Sequence, residues 1–329
     1  MSALLSASVA IAAARHHARP LAAFALLLAL LVLFLSLHPR GASAAVMTIW
    51  ANQGVALAFV AVGQTIVVLT RGIDLSIGAI MALANCAASA LVQGTPLEVA
   101  FGVAAVVLIG AACGLANGLV IVAGRIQPIV ATLATGAIIS GLALLVRPTP
   151  GGSVDEALSD LFTGDVFGVP TSLVLLGALT ALVWGPVRAS LTGRTIFAAG
   201  SAEGAAYMSG LPVNRAKVAA YVLAGIFAAL GGLFLGFQTL SGDPAIGNAY
   251  TLNSVAAVVL GGTSLAGGAG SVLGSIAGAL VLRTIGSVMF FAGVNPMAQP
   301  LFEGAVLLAA VGVGAFRLLR IRNRLEMFR

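Results

Sequence analysis

Residues 55–91 read VALAFVAVGQTIVVLTRGIDLSIGAIMALANCAASAL. Apolar residues dominate both ends of this stretch, but residues 71–78 between them (the first break) carry two charges and two glycines. A second break, residues 261–270, also follows a Val-Val-Leu and also precedes an apolar run. Irregular backbone at membrane depth is tolerated only where it is buried in protein or lines a water-filled cavity. The pattern therefore predicts interrupted membrane helices, which are typical of transporters.

The composition supports a membrane protein and excludes a water-soluble enzyme. Of the 329 residues, 60% are hydrophobic and only 8% are charged, against about 25% charged in an ordinary soluble domain. A transmembrane β-barrel would alternate polar and apolar residues instead of running apolar for whole segments. At about 20 residues per span, the fold class expected is all-α, a polytopic transmembrane helical bundle of about ten spans with interrupted helices.

The apolar runs define the expected organisation of the chain. The ten predicted spans are residues 21–37, 46–69, 75–92, 97–122, 126–146, 171–187, 217–240, 252–262, 271–293 and 298–316. A basic segment at 1–20 precedes this membrane domain of residues 21–316, and a basic tail at 317–329 follows it. The first run could be read as a cleaved signal peptide, but its length favours an uncleaved helix.

Basic residues predict the orientation, because loops on the cytoplasmic side carry the excess of Lys and Arg. With the amino terminus inside, thirteen basic residues lie in inner segments and two, Arg40 and Arg147, lie in outer ones. Both termini are then cytoplasmic, the acidic segment at about 147–170 is periplasmic, and the segment at about 188–216 is cytoplasmic. Arg283 is the one charge deep in a span, and we expect it to snorkel or to pair with a helix C-terminus.

Polar side chains near the breaks are the candidates for a translocation pathway or gate. Asp74 is expected to cap the helix that opens at Leu75, with help from Ser76 and with Arg71 as its charge partner. The other candidates are Gln64, Asn117, Gln127, Thr132, Thr263 and Ser264. The hinge candidates are Gly72, Gly78, Gly261 and Gly262. A mostly uncharged set of this kind suits a neutral polyhydroxylated solute better than an ion.

No catalytic set, metal site or cofactor motif is found in the sequence. The three histidines lie within the first 38 residues, far from any acid, and the two cysteines lie inside apolar runs. The one lysine, Lys217, follows Ala216, so a P-loop is absent and the chain is not expected to hydrolyse ATP itself. The basic residues form no stripe on a soluble face, which argues against a nucleic-acid partner.

Several motifs, in order, are similar to those of a known family. They are Gly63-Gln64-Thr65-Ile66-Val67-Val68 leading into Gly72-Ile73-Asp74-Leu75-Ser76-Ile77-Gly78, then Arg125-Ile126-Gln127-Pro128 with Ala131-Thr132-Leu133-Ala134-Thr135, Gly193-Arg194 leading to Ser209-Gly210-Leu211-Pro212-Val213, and Gly261-Gly262-Thr263-Ser264-Leu265 with Gly268 and Gly270-Ser271-Val272-Leu273-Gly274. From about residue 52 to 311, the chain resembles the membrane permeases of ribose/xylose-type ABC importers.

The resemblance implies a set of partners and a mechanism. It implies a homodimer of permeases in the lipids of the bacterial inner membrane, two cytoplasmic ATPase domains or subunits, and a periplasmic sugar-binding protein. It also implies that residues 188–216 (the coupling loop) dock on the ATPase. The coupling-loop candidates are Arg194, Glu203, Ala205, Ala206 and Gly210.

The chain departs from the family pattern at three positions. The acid of the usual Glu-Ala-Ala is displaced by one residue, since Gly204 follows Glu203. Tyr207 stands where the family has an arginine, and Arg71 stands where it has a glycine.

The function expected is translocation of a neutral monosaccharide, driven by separate ATPase subunits. One alternative is a branched-chain amino-acid permease of a related importer family, which would need intramembrane groups for a zwitterion. Another is an ion-coupled secondary transporter, which the shortage of intramembrane acids opposes.

Overall fold

The computed structural model describes residues 2–298 together with residues 301, 302, 304, 305 and 308. Most of the tenth span expected at residues 298–316 lies outside these residues, as does the basic tail at 317–329.

Within the described residues the chain is almost entirely helical. The α-helices are α1 (Ser2–Leu37), α2 (Ala44–Leu69), α3 (Ile77–Leu91), α4 (Pro96–Ala123), α5 (Pro128–Val146), α6 (Glu156–Thr163), α7 (Thr171–Ala189), α8 (Leu191–Ser201), α9 (Glu203–Met208), α10 (Val213–Thr239), α11 (Asn248–Leu260) and α12 (Val272–Phe291). A short 3-10 helix, Pro296–Ala298, follows α12.

Seven helices in the described part are long and apolar enough to cross a membrane: α1 from Pro20 onward, α2, α4, α5, α7, α10 and α12. Helices α3 and α11 have 15 and 13 residues, so they are about 22 Å and 20 Å long. Both are shorter than the roughly 30 Å of a hydrocarbon core. Each is bounded by a break, as the sequence predicted, and the protein is a polytopic helical membrane protein.

Helices α2 and α10 form the centre of the bundle. In the most apolar stretch of each, 72% of the residues are buried, against 28% for α4 and for α5. Helix α10 packs against α2, α3 and α4, while α1 packs against α12 at the periphery. The peripheral helices therefore leave apolar faces for lipid or a partner, and the breaks lie beside the central pair.

Glycines allow α4 and α10 to approach closely. The stripe of glycines at positions 110, 114 and 118 faces α10, as its spacing of four predicts. A Cβ added at Gly118 would lie 2.9 Å from the Cα of Val218, and one added at Gly110 would overlap the carbonyl of Gly225. Close backbone approach of this kind is how membrane helices pack through small residues.

One short β-hairpin interrupts the otherwise helical chain. Strands β1 (Asp165–Val166) and β2 (Val169–Pro170) pair antiparallel in the segment before α7. The turn between them has positive φ at Phe167 (53°) and Gly168 (79°). Two consecutive positive φ values give the tight hairpin turn whose twist matches that of paired strands.

Candidate functional site

Five of the candidate pathway residues are completely buried around the first break. Gln64 lies on α2, Ser76 directly precedes α3, Asn117 lies on α4, and Thr132 lies on α5, with Asp74 inside the break. Buried polar groups are stable only if their hydrogen bonds are made. The contacts among them describe a single network, which joins four membrane helices.

Asp74 accepts two hydrogen bonds from Ser76. Its Oδ1 accepts from the Ser76 N–H (2.9 Å) and from the Ser76 hydroxyl (2.6 Å). Its other oxygen, Oδ2, is buried and has no hydrogen-bond partner among the described residues. The carboxylate therefore fixes the turn that enters α3.

The expected capping geometry and the expected charge partner of Asp74 are both wrong. The residue in the N-cap position of α3 is Ser76, and the helix begins at Ile77, two residues later than predicted. Arg71 is exposed, and its Nε donates to the carbonyl of Ala266 in the second break (2.8 Å). The arginine is therefore held by a backbone oxygen from a distant part of the sequence and not by the nearby acid.

Gln64 holds the backbone of the first break. In the orientation of its amide that satisfies both groups, the side chain donates to the carbonyl of Asp74 (3.1 Å) and accepts from the Asp74 N–H (3.3 Å). These two backbone groups are outside any helix, so without such a partner they would be unsatisfied in the bundle. Gln64 thus replaces the ladder of hydrogen bonds that the break interrupts.

The network continues from Ser76 into α4 and α5. The Asn117 amide donates to Ser76 Oγ (2.7 Å), and Thr135 Oγ1 donates to Asn117 Oδ1 (2.5 Å). Thr132 Oγ1 accepts from the Leu75 N–H (3.0 Å) and donates to the carbonyl of Pro128 (2.9 Å). Three hydrogen bonds therefore link the first break to α4, the break to α5, and α4 to α5.

Gln127 does not join this network. It is exposed and precedes α5 without a side-chain capping bond. It is therefore separate from the buried polar candidates with which the sequence analysis grouped it.

Thr263 and Ser264 stabilise the second break. Thr263 Oγ1 is buried, accepts from the Ser271 N–H (3.2 Å) and lies 3.4 Å from Ser275 Oγ on α12. The Ser264 N–H donates to the carbonyl of Ala269 (2.8 Å), which closes the loop on itself. These two residues therefore lie apart from the Asp74 network, in the other break.

The two breaks contact each other through Arg71 and Ala266, and α8 packs against the second break and the end of α2. The Gly268 N–H donates to the carbonyl of Leu69, the last residue of α2 (3.0 Å). A Cβ added at Gly200, near the end of α8, would overlap that same carbonyl and the Gly268 nitrogen. We call this meeting of residues 69, 200 and 268 the junction.

Backbone conformation explains why the family has a glycine at the position of Arg71. Arg71 has φ of 67°, in the left-handed region where a residue with a Cβ is disfavoured. The hydrogen bond from Arg71 to the Ala266 carbonyl accompanies this conformation.

The four hinge candidates differ in their surroundings. Gly262 has a positive φ of 83°, whereas Gly78 packs against the Gly247 carbonyl and Gly261 packs against Gly274. A Cβ at Gly72 would lie 2.5 Å from the hydroxyl oxygen of Tyr221. Close packing is the direct role of these glycines at three of the positions, and hinge motion stays a prediction.

Tyr221 is a residue that the sequence reasoning missed. It lies on α10, is 1% exposed, and its hydroxyl has no hydrogen-bond partner among the described residues. It packs against Gly72 in the first break. A tyrosine within the otherwise apolar α10 was the available signal, because a buried phenol normally has a polar partner.

The coupling loop consists of α8, a short α9 and a turn. Ala206 is buried against Ala199 and Val213, while Arg194, Ala205 and Gly210 are exposed. Tyr207 and Met208 project from α9 with exposures of 44% and 87%. The loop therefore presents one small surface outward and fixes the opposite side of α9 to α8 and α10.

Glu203 has a local partner. Its carboxylate forms an ion pair with Lys217 at the start of α10 (2.6 Å), the one ion pair found within the described residues. Tyr207 also binds back to α10, where its hydroxyl donates to Asn214. Both contacts hold α9 against the first turns of α10.

Comparison with known proteins identifies the family. Residues 46–311 match the family described as "Branched-chain amino acid transport system / permease component". The chain belongs to this permease family. As a permease component it is a transport subunit of an ABC import system and not an enzyme, and ATP hydrolysis is carried by a separate chain. It is a multi-pass protein of the inner membrane.

Individual relatives of the permease are known by their transport systems. The ribose import permease protein RbsC of Escherichia coli K12 is 37% identical over 261 residues, covering 77% of this chain and 80% of the relative. The same protein of Bacillus subtilis is 37% identical over 258 residues, covering 77% and 79%. The autoinducer 2 import system permease protein LsrD of Escherichia coli O9:H4 is 29% identical over 299 residues, covering 88% and 90%. No solved structure gives a significant match to the permease.

Proposed function

We propose that this permease translocates a neutral monosaccharide that a periplasmic binding protein delivers. The observation that carries the proposal is the similarity to ribose import permeases over most of both chains.

The working assembly in this proposal is two copies of the chain with two ATPase domains or subunits and one binding protein. In each copy, residues 21–316 form the membrane domain with about ten spans, and both termini are cytoplasmic. Residues 188–216 then contact the ATPase, and residues 147–170 face the periplasm. The excess of basic residues in the segments assigned to the inside supports this orientation.

The junction suggests how ATPase movement would reach the pathway. Transport requires two arrangements of the helices, and the ATPase must favour one over the other. Helix α8 contacts the end of α2, which leads into the first break, and the second break through Gly200, so a displacement of the coupling loop would move residues 69 and 268 together. In this mechanism Gly72, Gly78, Gly261 and Gly262 are the points at which the backbone adjusts, and Asp74, Gln64, Asn117 and Thr132 move as one connected unit.

Uptake by the reconstituted importer tests the substrate class and the energy source. Proteoliposomes that contain the permease, its ATPase and its binding protein should take up labelled D-ribose or another monosaccharide, but not leucine, and only with ATP inside. Uptake that persists with an inactive ATPase and collapses with an ionophore would indicate the secondary transporter instead. Uptake of leucine without any monosaccharide would indicate the branched-chain amino-acid alternative.

Cysteine labelling tests the orientation. Ser209 is exposed in the turn after α9, so a Ser209→Cys variant without the native cysteines provides a unique site. We expect a membrane-impermeant maleimide to label it only after the cells are permeabilised. Labelling in intact cells would place the coupling loop outside and remove the proposed contact with the ATPase.

A further inference from the structure

A cavity of about 440 Å³ lies between α1, α2, α11 and α12. Its volume is within the range of roughly 300–1,000 Å³ that small-molecule sites have. The aromatic and polar side chains that matter here are Trp50, Gln53, Gln238, Tyr250, Arg283 and Phe291.

This cavity lies at the end of the bundle away from the coupling loop. Gln238 in its wall is the second-last residue of α10, whose first residues belong to the coupling loop. Helix α10 has 27 residues, so about 40 Å separates its two ends. In the proposed orientation, the cavity therefore lies on the side where a periplasmic binding protein releases its cargo.

The Nε of Arg283 is a hydrogen-bond donor that no described residue uses. Its guanidinium carbon lies 5.0 Å from the centre of the Tyr250 ring, an arrangement that stabilises a cation. Its Nε is buried and has no hydrogen-bond partner among the described residues, and no carboxylate in that part of the chain forms an ion pair with it. The Nε of Arg283 therefore does not bind a helix C-terminus among the described residues, and snorkelling of the side chain stays a prediction. Because a buried donor normally has a hydrogen-bond partner, we expect a bound molecule to supply the acceptor for this Nε.

The neighbouring side chains are held in place. The Trp50 indole N–H donates to Thr284 Oγ1 (2.9 Å), and Ser287 Oγ donates to the side-chain oxygen of Gln53 (3.1 Å). The cavity thus combines fixed aromatic rings with amide, hydroxyl and guanidinium groups. Aromatic rings accept the C–H face of a ring-shaped polyol, and the polar groups bind its hydroxyls.

We propose that this cavity is the subsite in which the permease first receives its monosaccharide, with Arg283 donating to a sugar hydroxyl and Tyr250 and Trp50 packing against the ring. The inference rests on the proposed function and adds the place and the residues of binding. The amides, the hydroxyl and the aromatic rings of the cavity match a neutral sugar of pentose or hexose size, and the phosphate measurement below tests whether Arg283 selects an anion instead.

Trp50 makes the subsite directly testable. The chain has two tryptophans, and the other, Trp184, lies on α7 and does not line the cavity. In the full-length Trp184→Phe variant, reconstituted in nanodiscs, Trp50 is the one indole reporter. We expect D-ribose, D-xylose or D-galactose to change its emission saturably. Arg283→Gln should weaken that binding at least tenfold, and Arg283→Lys should restore part of it. Arg40→Gln, which removes an exposed charge outside the cavity, should leave the binding unchanged.

Each other outcome overturns the subsite. It fails if Trp50 does not respond to any of the three sugars, if Arg283→Gln binds as tightly as its parent, or if inorganic phosphate alone gives the response. Uptake by the complete importer, measured in parallel, distinguishes a failure of the subsite from a failure of the proposed function. ATP-driven sugar uptake with a silent Trp50 refutes the subsite alone, whereas no monosaccharide uptake at all refutes the proposed function.

Discussion

Replacing Gly200 by alanine tests whether the junction transmits movement from the coupling loop to the breaks. The new methyl group would overlap the Leu69 carbonyl and the Gly268 nitrogen, whose mutual hydrogen bond is 3.0 Å long. Relief of such an overlap costs about 1–3 kcal/mol, and a weakened buried hydrogen bond adds about 1 kcal/mol. Alanine is the better helix former by about 1 kcal/mol. The net cost is therefore about 2 kcal/mol, which lowers the equilibrium constant between the intact and the disrupted junction roughly thirtyfold.

The assay compares ATP hydrolysis with transport in proteoliposomes that hold the complete importer. For Gly200→Ala we expect uptake per ATP hydrolysed to fall at least fivefold, while the variant still inserts and still binds its ATPase. Gly185→Ala on α7 is the matched control, because it gains the same methyl in a helix with no atom within 4 Å. Equal coupling ratios in Gly200→Ala, Gly185→Ala and the parent would refute the reasoning.

Three further substitutions test the network and the coupling loop. Asn117→Ala removes the donor to Ser76 and should cost about 2–3 kcal/mol, seen as a lower thermal unfolding midpoint and slower uptake; an unchanged midpoint would contradict the network. Asp74→Asn keeps an oxygen for the two bonds from Ser76, so its expression and gating should suffer less than those of Asp74→Ala. In Asp74→Asn the apparent affinity for sugar should change less than the rate of uptake. A changed sugar preference at normal expression would instead indicate that Asp74 contacts the substrate. Gly210 has φ of 75°, so Gly210→Val should abolish substrate-stimulated ATP hydrolysis without preventing insertion, and normal stimulation would argue against its part in coupling.

The sequence predicted local features well because they depend on short-range rules. The periods of apolar residues identified most helices within a few residues, and Pro96 and Pro128 stand at the starts that proline favours. The spacing of four between Gly110, Gly114 and Gly118 likewise indicates the helix face that packs against α10. The two breaks were recognisable since their charges and glycines cannot continue an apolar helix.

Contacts between distant segments could not be predicted in this way. The pairing of Arg71 with Ala266 depends on how the two breaks meet, and nothing in the spacing of Arg71 and Asp74 reveals it. Gly200 lies in an unremarkable Ala-Ala-Gly-Ser run, and its importance comes from the Leu69 carbonyl that approaches it. Asn117 and Ser76 are 41 positions apart, so their hydrogen bond follows only from the packing of α4 beside the first break.

The position of α1 has a consequence for the biogenesis of the protein. Its Phe34 ring lies 5.8 Å from that of Phe291 at the end of α12, and α12 itself begins only at Val272. During translation the first helix therefore enters the bilayer long before its neighbour exists. Until then only its contacts with α2, such as those of Phe34 with Val46 and Trp50, are available, and docking against α12 is a late step that completes the bundle from the outside.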